Sequence, residues 1–196
     1  LNISRDTLLK QAGVAEGDLY FSVDEGKTTK ALEAIPAVKE AAVEKEFPGT
    51  VRIELTARTP LGLIVSQSDE SAQPLVVDAQ GVVFARGIPE DYPSLPVLSG
   101  FSVSEVQLGA NLPQAMVRVT RDLRYIRLHH PVLFNVISEI QFEIVHEHRY
   151  DVILHFTHVP VPVRFGGQLK PQKIKGIIRV LDVLQDQGMV EDIEEI

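Results

Sequence analysis

Cysteine is missing from this 196-residue chain, and so is tryptophan. Without cysteine there is no disulfide scaffold and no thiolate zinc site, although the compartment stays open. No apolar run approaches the roughly 20 residues that a membrane-spanning helix needs. Positive charge is also short. Against 27 Asp and Glu stand 19 Lys and Arg, a net charge of -8, which excludes a general attraction to nucleic acid or anionic lipid. The chain opens on Leu1 rather than on an initiator Met, and no signal peptide precedes it, so the expectation is a piece of something longer. What remains is ordinary globular composition, 44% apolar and 23% charged, in a length that allows one large domain or two small ones.

The first sixty residues read as helix, loop, helix, hairpin. Ser4 is placed to cap a helix bearing Leu8, Leu9 and Ala12, with Ile3 as its staple and Gly13 at its C-terminal end. Asp24 begins a second helix with Ala31, Leu32 and Ile35, stopped by Pro36. Two alternating runs follow, Ala41, Val43 and Phe47 in one and Val51, Ile53, Leu55 and Ala57 in the other. A loop of Pro48-Gly49-Thr50 predicts Phe47 opposite Val51 and Val43 opposite Leu55, so both apolar rows point one way. The same register sets Glu46 against Arg52, Glu40 against Arg58 and, less favourably, Glu44 against Glu54.

After Pro60 the texture changes. Leu61 to Val65 is apolar, and Leu75 to Ala85 is a hairpin about Asp78-Ala79-Gln80-Gly81. "YPSLPVLSG" (Tyr92 to Gly100) is Pro-rich and extended. A helix from about Asn111 carries Leu112, Ala115, Met116, Val119, Leu123 and Ile126, with Arg118, Arg121 and Arg127 off that stripe, and ends at His129 to Pro131. Three strands follow, bearing Ile140, Phe142 and Ile144, then Val152, Leu154 and Phe156, then Val159, Val161, Val163 and Phe165. Pro160 and Pro162 lie two apart, so on a strand both missing N–H groups face the same neighbour. That side must be open, bulged or paired past the prolines, unless the segment is a loop. A last helix after Pro171 carries Ile174, Ile177, Ile178, Leu181 and Leu184, Gly188 closes it, and "MVEDIEEI" can begin another strand.

Several features invite chemistry. His146 and His148 share a strand face, Glu147 lies between them, and His155 and His158 follow, which raises a metal-dependent hydrolase. The third ligand at defined spacing and the HExxH pattern are absent, and solvated histidines at strand ends are the simpler reading. Asp78 and Gly81 fit a turn better than an acid catalyst, and no second carboxylate completes a glycosidase pair. "GGQLKPQKIKG" lacks the order of a phosphate loop. No cofactor is expected.

"VEKEFPGTVRIELTARTP" (Val43 to Pro60), with the two helices before it, resembles a POTRA module. "LVVDAQGVVFA", "YPSLPVLSG" and "VPVRFGGQLKPQKIKGIIRVLDVL" resemble segments of the FtsQ/DivIB cell-division family in the same order, over essentially the whole chain. The resemblance implies an α+β protein in which an N-terminal POTRA module, two helices packed on a small sheet, precedes a mixed β-sheet domain with flanking helices. The expected boundaries are 1–59 and 60–196. It implies no enzyme but a divisome scaffold. This region would be the extracytoplasmic (periplasmic) part of a single-pass protein of the inner membrane, with its anchor upstream. FtsB/DivIC-like and FtsL-like division proteins would be its partners, and others could engage the POTRA module. In the family the POTRA module begins with a strand, here at most "LNI", and a strand reading "iDlR" follows the last helix, where this chain reaches "EDIEEI". The expected docking site is therefore an edge strand begun by Ile193, Glu194, Glu195 and Ile196, to which a partner adds its own strand. A POTRA-bearing secretion or outer-membrane assembly protein is the other class considered. After Pro60 there is neither a second helix-helix-hairpin copy nor regular alternating ten-residue segments.

Overall fold

The computed structural model describes residues 3–65, 73–87, 91–101, 107–146, 149–190, 193 and 195–196, the side chains of His146 and Arg149 excepted. The chain forms two compact units, Leu1–Thr59 and Pro60–Ile196, each with a hydrophobic core of its own.

In the first unit, α1 (Arg5–Ala12) begins where the Ser4 hydroxyl accepts the Thr7 N–H at 3.2 Å. It ends at Gly13, whose φ of 69° is the left-handed conformation that closes a helix without a Cβ penalty. Helix α2 (Glu25–Glu33) is capped by Asp24 in the same way. Both rest on a hairpin of β1 (Val38–Glu46) and β2 (Thr50–Ala57). Leu32, Ile35, Val38 and Val43 form the buried centre, and Val51, Ile53 and Leu55 pack on it.

The hairpin register corrects the expected one by two residues. Glu46 pairs with Thr50, Val43 with Ile53 and Ala41 with Leu55. The turn consumes Phe47, Pro48 and Gly49, so Phe47 leaves the apolar row and stands 84% exposed. A shift of two conserves the faces, because side chains alternate with period two. It also removes the expected repulsion, setting Glu44 opposite Arg52 and Ala42 opposite Glu54. Glu40 faces Thr56 and pairs with Lys39 at 2.8 Å, while Arg58 donates to the Pro36 carbonyl at 2.9 Å.

The second unit is a seven-stranded mixed sheet in the order β5-β4-β3-β6-β7-β8-β9. Its strands are β3 (Gly62–Ile64), β4 (Leu75–Val77), β5 (Val83–Arg86), β6 (Val97–Ser99), β7 (Ile137–His146), β8 (Arg149–Phe156) and β9 (Val163–Gly166). Pairing is parallel for β3–β6 and β6–β7 and antiparallel elsewhere. Three helices complete the unit, α3 (Gln114–His129), α4 (Pro131–Asn135) and α5 (Pro171–Asp186). Helix α3 does end at His129, but Pro131 starts α4 at once, since proline is well suited to a first helical turn. The extended Pro-rich segment holds β6, the strand between β3 and β7.

Alternation divides the sheet into two faces. Ile64, Val77, Leu98, Ile140, Phe142, Val152, Leu154, Val163 and Phe165 join Met116, Leu123 and Ile126 of α3 and Ile174 and Leu181 of α5 in one core. Each such Leu or Ile side chain contributes about 1.5–3 kcal/mol through burial. The buried Thr120 hydroxyl donates to the Ala79 carbonyl at 3.0 Å, tying α3 to the β4–β5 turn. That turn is shaped by Asp78, whose carboxylate accepts the N–H groups of Gln80 and Val82 at 2.9 Å each. Arg127, off the apolar stripe of α3, donates to the Pro60 carbonyl and lies over the Phe134 ring at 5.3 Å.

One strand expectation is corrected. Val159 and Val161 are buried in the core but precede β9, which starts only at Val163. Pairing with β8 begins only at Val163, after both prolines.

Candidate functional site

At the β9 end the chain returns after α5. The Ile196 N–H donates to the Pro162 carbonyl at 3.1 Å, and the Arg164 N–H donates to the Ile196 carbonyl at 2.8 Å. Two bonds from residues flanking Val163 to a single residue are the pattern of a parallel bridge. The terminal residues thus lie on the side of β9 away from β8, in the position of an eighth strand. Val190 and Ile193 pack against the core as the chain arrives there. Of the expected docking residues, Glu195 and Ile196 are held at this edge, Ile193 packs against the core, and Glu194 lies outside the described residues.

The face of the sheet opposite the helices carries Val97 and Ile153 among mostly polar side chains over β6 to β9, and the polar ones are linked from strand to strand. The Ser99 hydroxyl donates to Glu139. Gln141 and His155 meet at 3.1 Å. Arg164 of β9 reaches Glu143 of β7 with one terminal nitrogen, which also lies 3.9 Å from Asp151 of β8. Its other two nitrogens grip Glu195, Nε at 2.5 Å from one carboxylate oxygen and Nη2 at 3.2 Å from the other. These bonds, to Glu195 first and Glu143 second, raise the Arg164 pKa above its usual value. The bond from Arg164 holds the Glu195 carboxyl below its usual value, against a smaller opposing effect of burial.

Among the described residues, His155 and His158 do not converge. His155 lies on the polar face against Gln141, whereas His158 follows β8 and approaches Asp182 of α5 at 3.7 Å, on the helix side. His148 and Glu147 lie outside the described residues. Among the described residues no group of three or more His, Asp or Glu is placed to hold a metal ion. No helix among them is long and apolar enough to cross a membrane.

Sequence reasoning had not singled out Arg164, the hub of this edge. Its signal was thin, one cation in an otherwise apolar strand, and its partner carboxylate lies 31 residues away.

Comparison with known proteins adds similarities. Residues 1–58 match the family model described as "POTRA domain, FtsQ-type". The chain is 24% identical over 186 residues to the cell division protein FtsQ of Geotalea daltonii, covering 94% of this chain and 64% of that protein. It is 25% identical over 195 residues to FtsQ of Geobacter sp. (strain M21), covering 97% and 66%. With the cell division protein DivIB of Paenibacillus polymyxa it shares 31% identity over 93 residues, 47% of this chain and 36% of that one. The chain therefore spans about a third to two thirds of the length of these relatives.

Proposed function

We propose, for a chain that carries an FtsQ-type POTRA domain and is similar along its length to the FtsQ and DivIB cell-division proteins, that it is a non-catalytic scaffold of the division machinery. Its partners are FtsB/DivIC-like and FtsL-like proteins, and the POTRA unit is free to engage others. The protein is a single-pass protein of the inner membrane, anchored by a segment upstream of this region, and the region lies on the extracytoplasmic side. Residues 1–59 are the POTRA module and 60–196 the β domain. The docking site is the terminal strand begun by Ile193, Glu194, Glu195 and Ile196.

The observation that carries this reading is the pair of backbone bonds between Ile196 and β9. They support a strand added outside β9, whose own outer edge then offers N–H and C=O groups to a partner segment. Strand addition draws much of its affinity from main-chain bonds. A proline on the outer edge should therefore weaken binding more than a charge swap at Glu194. The test is capture of the partner's extracytoplasmic segment by this chain and by a version extended with the native residues after Ile196. Strong capture by the extended version and weak capture by the shorter one supports the reading. Equal capture by both places the site elsewhere, with the POTRA unit as the next candidate.

A further inference from the structure

We propose that Arg164 is the positioning residue that sets the register of the terminal segment on β9. Its functional meaning rests on the reading of that edge as the docking site, because a partner strand can match only the register the terminal strand has already taken.

The need for such a residue follows from the ladder. Two backbone bonds hold Ile196, and two bonds are compatible with a slipped alternative unless side chains select one. Proline excludes slips in one direction. The Pro162 carbonyl faces the terminal segment, so the N–H that Pro162 lacks would have pointed there too, and the ladder can begin no earlier than that carbonyl. Arg164 adds a side-chain constraint. With Ile196 bridged at Val163, Glu195 lies opposite Pro162 and on the polar face, and Arg164 reaches it diagonally with a two-pronged grip on its carboxylate. A slip of one residue turns Glu195 to the face of Val163 and Phe165. A slip of two toward Pro160 carries it about 6.6 Å along the strand, out of reach of the fork.

The guanidinium is also anchored within the sheet. Glu143 of β7 holds one nitrogen, and Asp151 of β8 flanks the same atom. Both carboxylates belong to the sheet itself, so the remaining two nitrogens present a fixed fork across the edge. A lysine would keep the charge and lose the fork.

The test is backbone amide exchange by NMR on the whole chain without a partner. Arg164→Ala and Glu195→Ala should each speed exchange of the Ile196 amide by about two- to fivefold, the range of an exposed ion pair. The double variant should add little to either single one, because both remove the same contact. Arg164→Lys should recover part of the protection, and 1 M salt should loosen the wild-type segment in the same way. Exchange at Ile140 and Leu154 in the β7–β8 ladder should not move. Unchanged Ile196 exchange in Arg164→Ala overturns the proposal, as does acceleration that Ile140 and Leu154 share, since that marks loss of the sheet and not of register. Loosening of Ile196 alone, together with unaltered capture of the partner segment, supports the register assignment and contradicts the docking reading.

Discussion

Gly100 follows β6 directly and has a φ of +86°. A Cβ built there would come within 2.9 Å of the backbone N, C and O of Phe142. These are atoms of β7, the strand paired in parallel with β6, and they cannot turn aside as the end of a flexible side chain would. Gly100→Ala therefore carries two costs. The left-handed backbone disfavours a Cβ by about 1–2 kcal/mol. Relief of the contact requires β6 or β7 to shift in a packed sheet, which costs about 1–3 kcal/mol. Together about 2–5 kcal/mol is expected, a fall of roughly 10 °C in the midpoint of the larger unit. Gly176 is the control. It lies exposed within α5, and a Cβ there meets nothing within 4 Å. Gly176→Ala should stabilise by up to about 1 kcal/mol. Thermal and urea unfolding, followed through assigned NMR signals of each unit, would report both. A Gly100→Ala protein within 1 kcal/mol of wild type would refute the argument that β6 and β7 approach as closely as described.

Glu195 has its carboxyl pKa lowered from 4.5 by the bond from Arg164. Its hold on the terminal segment is thus fully present above about 4.5 and is lost as pH falls through the depressed value. Ile196 amide protection, corrected for intrinsic exchange, should stay level from pH 7 to pH 5 and fall by the same two- to fivefold only below that; a fall between pH 7 and 6 would point to a histidine instead. Zinc titration by calorimetry should show only weak uptake, and a stoichiometric site tighter than about micromolar, near -8 kcal/mol, would revive the hydrolase. Removal of residues 1–59 should leave the spectrum of the seven-stranded unit intact, and loss of its dispersion would contradict the proposed boundary near Pro60.

How far the sequence revealed the fold depended on how local each signal was. Caps, stripes and alternation lie within a dozen residues, so Ser4, Asp24, the α3 and α5 faces and the inward rows of β7 and β8 could be read directly. Strand β6 could not, because it has three residues between Pro96 and Gly100, and its two parallel partners, Leu63 and Ile64 in β3 and Glu139 to Gln141 in β7, lie 34 residues before it and 42 after it. The hairpin register failed on a single choice, whether Phe47 belongs to the strand or to the turn. Its apolar side chain argues for the strand, and the structure gives it to the turn. The edge was half legible. Pro160 and Pro162 announced that one side of their strand could not pair in the ordinary way. The fork from Arg164 to Glu195 was invisible, because nothing in either residue's neighbourhood names the other.

The most direct test of the docking edge is amide exchange across the extended chain, with and without the partner's extracytoplasmic segment. The account predicts new protection in every second amide on the outer edge of the terminal strand, beginning beside Ile196 and continuing downstream, with β3 to β8 unchanged. New protection confined to residues 3–58, or none in the terminal strand of a complex that has formed, would contradict it.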